Sequence, residues 1–247
     1  MQAVRVHEGG ELRYETVPDP VAVPGEVLVE LSTAALNRRD LLVCGGTYPF
    51  PLPLTPGSDG AGVRRDTGEE VVIYPSLAWG DREAAPGPDF QILGGPRDGT
   101  FAELIVVPEA NVFAKPARPS WAEAAALPLA GLTAYRAVFS RGGLRAGETA
   151  LVLGAGSGVS TFAVQLAAQA GARVLVTSSS DEKIERSVAL GAEGGVNYAT
   201  SDWVAAALKL GGADLVIDSV VPLAEAATAV ESMATARHFG KLVLSCD

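Results

Sequence analysis

Leu151-Val152-Leu153 is an apolar run that breaks at a cluster of small residues, Gly154, Ala155, Gly156, Ser157, Gly158 and Val159, and gives way to a helical pattern from Ser160. Small residues at a strand-to-helix turn let an anion approach backbone N–H groups and the positive end of the helix, so these six positions are predicted to hold a pyrophosphate. Gly154 and Gly156 fill the first two places of G-x-G-x-x-G, but the third falls on Val159, with Gly158 one residue early. Taken alone, such a turn could be purely structural. Its context adds weight, because a second apolar run, Ala172 to Thr177, follows at the roughly twenty-residue distance that a dinucleotide-binding unit requires.

The surrounding pattern alternates. Helices are predicted over Ser160–Ala170, Asp181–Leu190 and Asp202–Leu210, and strands over Thr149–Leu153, Ala172–Thr177, Gly195–Tyr198 and Ala213–Asp218. Strand–helix alternation at this spacing calls for a parallel sheet wound by right-handed crossovers. Upstream of Pro119 the texture differs: short β-rich runs such as Val27–Leu31 and Phe101–Val107 are punctuated by Gly and Pro, and residues 79–99 read as a long surface loop or lobe. Ser120 followed by Glu123 offers a capping box that opens a helix toward Leu127.

The second strand of the nucleotide unit ends in Thr177-Ser178-Ser179-Ser180, with no carboxylate at its tip to accept bonds from a ribose 2′-hydroxyl. Ser178, Ser179 and Lys183 instead suit a 2′-phosphate, which favours NADPH over NADH. Asp181, just beyond, is placed to start the next helix, where the dipole favours an acid. Lys183 could equally be an ordinary exposed helix residue.

A net charge of −10 argues against a nucleic-acid or anionic-membrane partner, since polyanions would be repelled by a chain without a basic cluster. Arg38-Arg39 and Arg64-Arg65 are isolated doublets that read as solvated positions. The N-terminal segment carries charges where a signal peptide needs an apolar run, and no window is long and apolar enough for a span, so the cytoplasm is the expected compartment. Cys44 and Cys246 are too few for a disulfide scaffold, and His7 and His238 are expected to be structural or exposed.

The order of a β-rich half followed by a glycine-turn half resembles the medium-chain dehydrogenase/reductase family with its GroES-like catalytic domain. The resemblance covers essentially the whole chain and rests on Ala34-Ala35-Leu36-Asn37-Arg38-Arg39-Asp40, Pro56-Gly57-Ser58-Asp59-Gly60-Ala61-Gly62, Leu127-Pro128-Leu129-Ala130-Gly131-Leu132-Thr133-Ala134-Tyr135, the glycine turn, Val196-Asn197-Tyr198 and the terminal His238–Leu244. It implies an α/β fold: a GroES-like β-rich catalytic domain over 1–119, to which a strand at 239–247 returns, and a Rossmann-type parallel sheet over 120–238. After Ser219 the chain passes to Val221–Glu225, which resembles the family's closing segment, so the resemblance implies a Rossmann-type domain shortened by its last two strands. Shortening of that kind would leave the strand near 213–218 as a sheet edge.

Zinc-using members of the family carry Cys, His with a neighbouring acid, and Cys or an acid at positions matched here by Asn37, Ser58 with Asp59, and Leu129. That set does not suit zinc, and the stretch 79–99, matching the lobe where such relatives hold a structural zinc, has no cysteine. No metal is therefore expected. The resemblance to zinc-free quinone oxidoreductases implies hydride transfer from NADPH to a small-molecule quinone or conjugated enone, with Asn37 and Tyr48 as hydrogen-bond donors to the reduced oxygen and Thr133 and Tyr198 as cofactor contacts. Asn37 could equally hold a loop, Tyr48 could be a wedge between Gly46 and Pro49, and Tyr198 could be an ordinary strand-end aromatic. Asp40 reads as a turn cap and Ser58-Asp59 as turn chemistry. A homo-oligomer is possible. The competing readings are a dinucleotide-binding or scaffold protein that no longer catalyses and, behind it, a zinc alcohol dehydrogenase.

Overall fold

Successive side chains of a strand point to opposite faces of its sheet, and this geometry orders the sheets of the computed structural model, which describes residues 1–217 and the short strands Val220–Pro222 and Val243–Ser245. His238, Cys246 and most of the closing helix and returning strand expected at the C-terminus lie outside the described residues. The chain divides into two units, Met1–Leu129 and Ala130–Asp247.

In the first unit, β1 (Gln2–Val6) and β2 (Leu12–Thr16) form an antiparallel pair. Five further strands, β3 (Glu26–Ala35), β4 (Asp59–Arg64), β5 (Glu70–Ile73), β8 (Leu104–Pro108) and β9 (Val112–Ala114), build an antiparallel sheet in the order β8-β3-β4-β5-β9. Val27 and Val29, Val71 and Ile73, and Ile105 and Val107 alternate inward to form its core. On β4 and β5, Ala61 and Val72 meet Ala124 and Ala125 of α2 (Trp121–Ala125), where small side chains allow helix and sheet to approach closely. Helix α2 opens as expected, with the Glu123 N–H donating to Ser120 Oγ and the Ser120 N–H donating to Glu123 Oε2. The stretch 79–99 is not wholly a loop: β7 (Gln91–Ile92) pairs with β6 (Ser76–Leu77).

The second unit carries a parallel sheet of β10 (Thr149–Val152), β11 (Arg173–Ser178), β12 (Gly194–Asn197) and β13 (Leu215–Ile217), in the order β12-β11-β10-β13. Ala150, Val152, Val174, Val176, Leu215 and Ile217 face α4 (Gly158–Gln169), whose Ala163, Val164 and Ala167 are buried against them. Leu151, Leu175 and Val216 face the other way, toward Ala207 and Trp203 of α6 (Trp203–Lys209). Helices on both faces explain why these strands are continuous apolar runs rather than alternating ones. Helix α5 (Asp181–Ala189) starts from Ser180, whose hydroxyl accepts the Lys183 N–H. Among the described residues β13 is the last strand on its side of the sheet. Beyond it β14 (Val220–Pro222) pairs in parallel with β15 (Val243–Ser245), which falls in the segment expected to return to the first domain.

Candidate active site and nucleotide turn

The strand order places β10 between β11 and β13, so successive connections leave β10 in opposite directions and open a crevice at its carboxyl end. The glycine turn sits at that end. Gly154 (φ +68) and Gly156 (φ +100) adopt conformations that side chains resist, which brings the chain from the strand into α4 within five residues. The helix begins at Gly158, two residues before the sequence pattern places it, because Ser157 is its N-cap: Ser157 Oγ accepts the Ser160 N–H and Ser160 Oγ accepts the Ser157 N–H. Helix geometry leaves the Gly158 and Val159 N–H groups without intrahelical acceptors, and they lie at the positive end of the dipole.

The other predicted cofactor residues divide by exposure. Ala155 is buried, and its N–H donates to the Thr177 carbonyl (2.7 Å). Ser178 is buried as well, and its hydroxyl donates to the Ala155 carbonyl (3.3 Å). These two residues hold the turn to the tip of β11. Ser179 and Lys183 are exposed beside it. A Cβ on Gly156 would stand 2.8 Å from Lys183 Cδ, so the lysine stem lies against the turn. Tyr198 follows β12, is 47% exposed and is tied to the same edge by its N–H to the Ser178 carbonyl. Thr133 lies half-buried on α3 (Pro128–Tyr135). Asp181 starts α5 and its carboxylate accepts from Asn197 Nδ2, as suits a first-turn acid. The small residues of the turn leave backbone N–H groups at the positive end of α4, with the Lys183 side chain alongside Gly156, a set of groups that could hold a pyrophosphate.

In the first unit, β3 runs through Asn37 into α1 (Arg38–Cys44), while β4 begins at Asp59. Asn37 Nδ2 donates to Asp59 Oδ2 (2.8 Å), and the Leu129 N–H donates to Asp59 Oδ1 (2.8 Å). The three positions matched to the zinc ligands of relatives thus converge, joined by hydrogen bonds through one carboxylate. Ser58-Asp59 is not turn chemistry: Ser58 is fully buried, Asp59 is 1% exposed, and the pair opens a core strand. Arg39 is not a solvated position either, since Nη1 donates to Ser58 Oγ (2.9 Å) and to the Leu93 carbonyl (2.8 Å). Asp40 caps α1, accepting the Asn37 N–H at 2.6 Å. Tyr48 packs with Phe50 and Cys44 on a satellite core of Val6, Val43 and Leu54. His7 is structural, paired with Glu15 at 3.1 Å.

Burial pushes the Asp59 carboxyl up to about 6, an effect that the Asn37 and Leu129 donors and the Arg39 guanidinium oppose and the nearby Asp40 reinforces. Burial raises the Asp40 carboxyl too. Because the folded protein holds the Asp59 proton more tightly than the unfolded chain, its contribution is largest below pH 4 and is lost as pH rises to about 6. Chemical denaturation across that window should therefore show wild type losing about 2–3 kcal/mol relative to Asp59→Asn; parallel pH profiles would contradict the assignment.

The donor set does not fit zinc. An amide, a hydroxyl and a leucine stand at the three matched positions, the one carboxylate has both oxygens engaged, and among the described residues no three His, Cys, Asp or Glu are placed to hold a metal ion. No helix among them is long and apolar enough to cross a membrane.

Comparison with known proteins gives the ancestry. Residues 23–117 match the alcohol dehydrogenase GroES-like domain, and residues 158–245 match the zinc-binding dehydrogenase model. A zinc-type alcohol dehydrogenase-like protein of Schizosaccharomyces pombe is 44% identical over 201 residues, covering 76% of this chain and 58% of its own length. The crystal structure of an NAD-dependent alcohol dehydrogenase superposes with a TM-score of 0.83 at 43% identity, covering 89% of this chain and 71% of that one. The quinone oxidoreductase of Thermus thermophilus, solved also with NADPH, superposes with a TM-score of 0.73 at 32% identity over 93% and 70% of the two chains. The chain spans little more than half the length of the first curated relatives, 58% and 61% of two of them. With both halves matched in order and its fold shared with these structures, the chain belongs to the medium-chain dehydrogenase/reductase family.

Proposed function

We propose that this chain is an NADPH-dependent oxidoreductase that reduces a quinone or conjugated enone without a metal. The observation that carries the reading is the Asn37–Asp59–Leu129 hydrogen-bond network, which fills the positions of a metal site with neutral donors and a buried carboxylate. Lacking a Lewis acid, such a site suits acceptors that are already electrophilic, whose developing enolate or phenolate needs only hydrogen-bond donors. Bound NADPH would supply the hydride. Asn37, with one amide N–H engaged by Asp59 and a second remaining, is the donor assigned to the substrate oxygen, and Tyr48 is the second candidate. The Gly158 and Val159 N–H groups would hold the pyrophosphate. Ser179 and Lys183 would take the 2′-phosphate, and Thr133 and Tyr198 would contact the rest of the cofactor.

Lys183→Ala separates the phosphate from the rest of the cofactor. It should weaken NADPH binding about tenfold while leaving NADH binding within about twofold, consistent with loss of one charge-assisted contact. Equal effects on both cofactors, read by fluorescence titration, would remove the basis for NADPH preference. A second reading, a protein that binds the dinucleotide without turnover, is favoured by the parallel sheet, whose four strands among the described residues correspond to the adenosine-binding half of a doubly wound domain. Saturable binding with no acceptor-dependent oxidation would select it.

A further inference from the structure

We infer that Asp59 is a positioning residue that fixes which way the Asn37 amide points, making Asn37 a hydrogen-bond donor toward the substrate. The inference rests on the proposed reduction for its functional meaning, although the orientation itself does not. A side-chain amide has two nearly isosteric ends, and only its partners decide which end faces where. Asp59 as a carboxylate can only accept. Its Oδ2 therefore takes an Asn37 N–H at 2.8 Å, and its Oδ1 is already held by the Leu129 N–H at 2.8 Å.

The carboxylate is itself fixed. Asp59 is 1% exposed, its own carbonyl accepts from Thr100 Oγ1 (2.8 Å), and neighbouring Ser58 is anchored by its hydroxyl to the Leu93 carbonyl (2.8 Å). The other end of the link is fixed too, since the Asn37 backbone N–H is held by Asp40 at 2.6 Å. Backbone and side chain of Asn37 are thus each bound to a different buried carboxylate. The Asn37 side chain also faces the Asp40 backbone N–H in the capping box of α1, so only the second amide N–H is left to turn toward a ligand.

Asp59→Asn is the informative substitution because it keeps size and shape and reverses polarity at one atom. Its oxygen can still accept from the Leu129 N–H. Its NH2 group must then face Asn37, which can bond to it only by presenting its own oxygen, so the Asn37 amide turns over. Steady-state kinetics with NADPH and a simple quinone on wild type, Asn37→Ala, Asp59→Asn and the double variant, with melting temperatures as a folding control, provide one arm of the test. Nitrogen-15 NMR of the Asn37 side-chain amide, assigned by its disappearance in Asn37→Ala, provides the other.

Asn37→Ala should lower kcat about 100-fold and Asp59→Asn about 10-fold, each with little change in KM, and the double variant should be no worse than Asn37→Ala. In wild type one Asn37 amide proton should be deshielded and protected from exchange, and Asp59→Asn should abolish that signature. If Asn37→Ala lowers kcat but Asp59→Asn is silent, or its effect multiplies in the double variant, the inference is overturned while the proposed reaction stands. If Asn37→Ala is silent or no turnover is found, the proposed reaction fails instead, and the NMR arm still decides: a signature lost in Asp59→Asn supports the orientation, and an unchanged or absent signature overturns it.

Discussion

Replacing Gly156 by valine should raise the dissociation constant for NADPH by about 100-fold or more, equivalent to roughly 3 kcal/mol, and should also lower the melting temperature through backbone strain. Gly156 holds φ +100, where a β-branched residue is strongly disfavoured, and its missing side chain is the surface an incoming pyrophosphate would approach. A Cβ there also meets the Lys183 stem at 2.8 Å, so the lysine must move away from the position in which it could help bind phosphate. Gly154→Ala provides the contrast. It too has positive φ, +68, but nothing lies within 4 Å of its Cβ position, so only backbone strain of about 1 kcal/mol and about a fivefold loss of affinity are expected. Equal effects at both positions, measured by fluorescence titration, would mean that the turn acts through its backbone shape alone and does not meet the cofactor at Gly156.

Gly99→Ala should be among the most destabilising single substitutions in the first unit. The new methyl would overlap the Gly57 carbonyl oxygen and stand 2.7 Å from the Gly94 Cα. These are backbone atoms with no rotamer to escape into, unlike the lysine beside Gly156. Gly57 is tied into this cluster from the other side, its carbonyl accepting the Thr100 N–H at 3.0 Å, and it leads directly into Ser58 and Asp59. Relief of the clash must displace the strand start that carries the buried carboxylate. A loss of about 3 kcal/mol or more is expected, a fall of roughly 10 °C in melting temperature. Gly68→Ala, with positive φ but open space, should lose about 1 kcal/mol and serves as the control. A Gly99 variant as stable as that control would show that the three-glycine contact is not a structural constraint.

The nucleotide half is legible in the sequence because its signals are local. Apolar runs such as residues 151–153 and Arg173–Ser178 are buried on both faces and flanked by helices, and Ser120 with Glu123 forms a capping box through three residues of chain. The sequence pattern misplaces the start of α4 by two residues because Gly158 and Val159 read as part of the turn, whereas the cap is Ser157, its hydroxyl bonded to that of Ser160 at 2.8 Å. The candidate site is legible in its members and not in its connections. Asn37 stands out from the matched segment, but by sequence Asp59 reads as a turn residue and Arg39 as a solvated one. Their partners lie 22, 19 and 54 residues away along the chain, at Asn37, Ser58 and Leu93, so no local spacing reports them. The available signal is a carboxylate at the head of the small and apolar stretch 60–63, where an acid is retained only if something satisfies it. Ser178 illustrates the converse: its type and place suit a phosphate, but it is only 2% exposed and its hydroxyl bonds to the backbone.

Metal-free reduction is tested most directly by NADPH oxidation with this chain, freed of divalent metal by a chelator, on addition of a simple quinone, followed at the absorbance of the reduced cofactor. Saturable, quinone-dependent oxidation is expected, supported better by NADPH than by NADH and not enhanced by added zinc. Cofactor binding without oxidation, or oxidation that emerges only when zinc is restored, would contradict it.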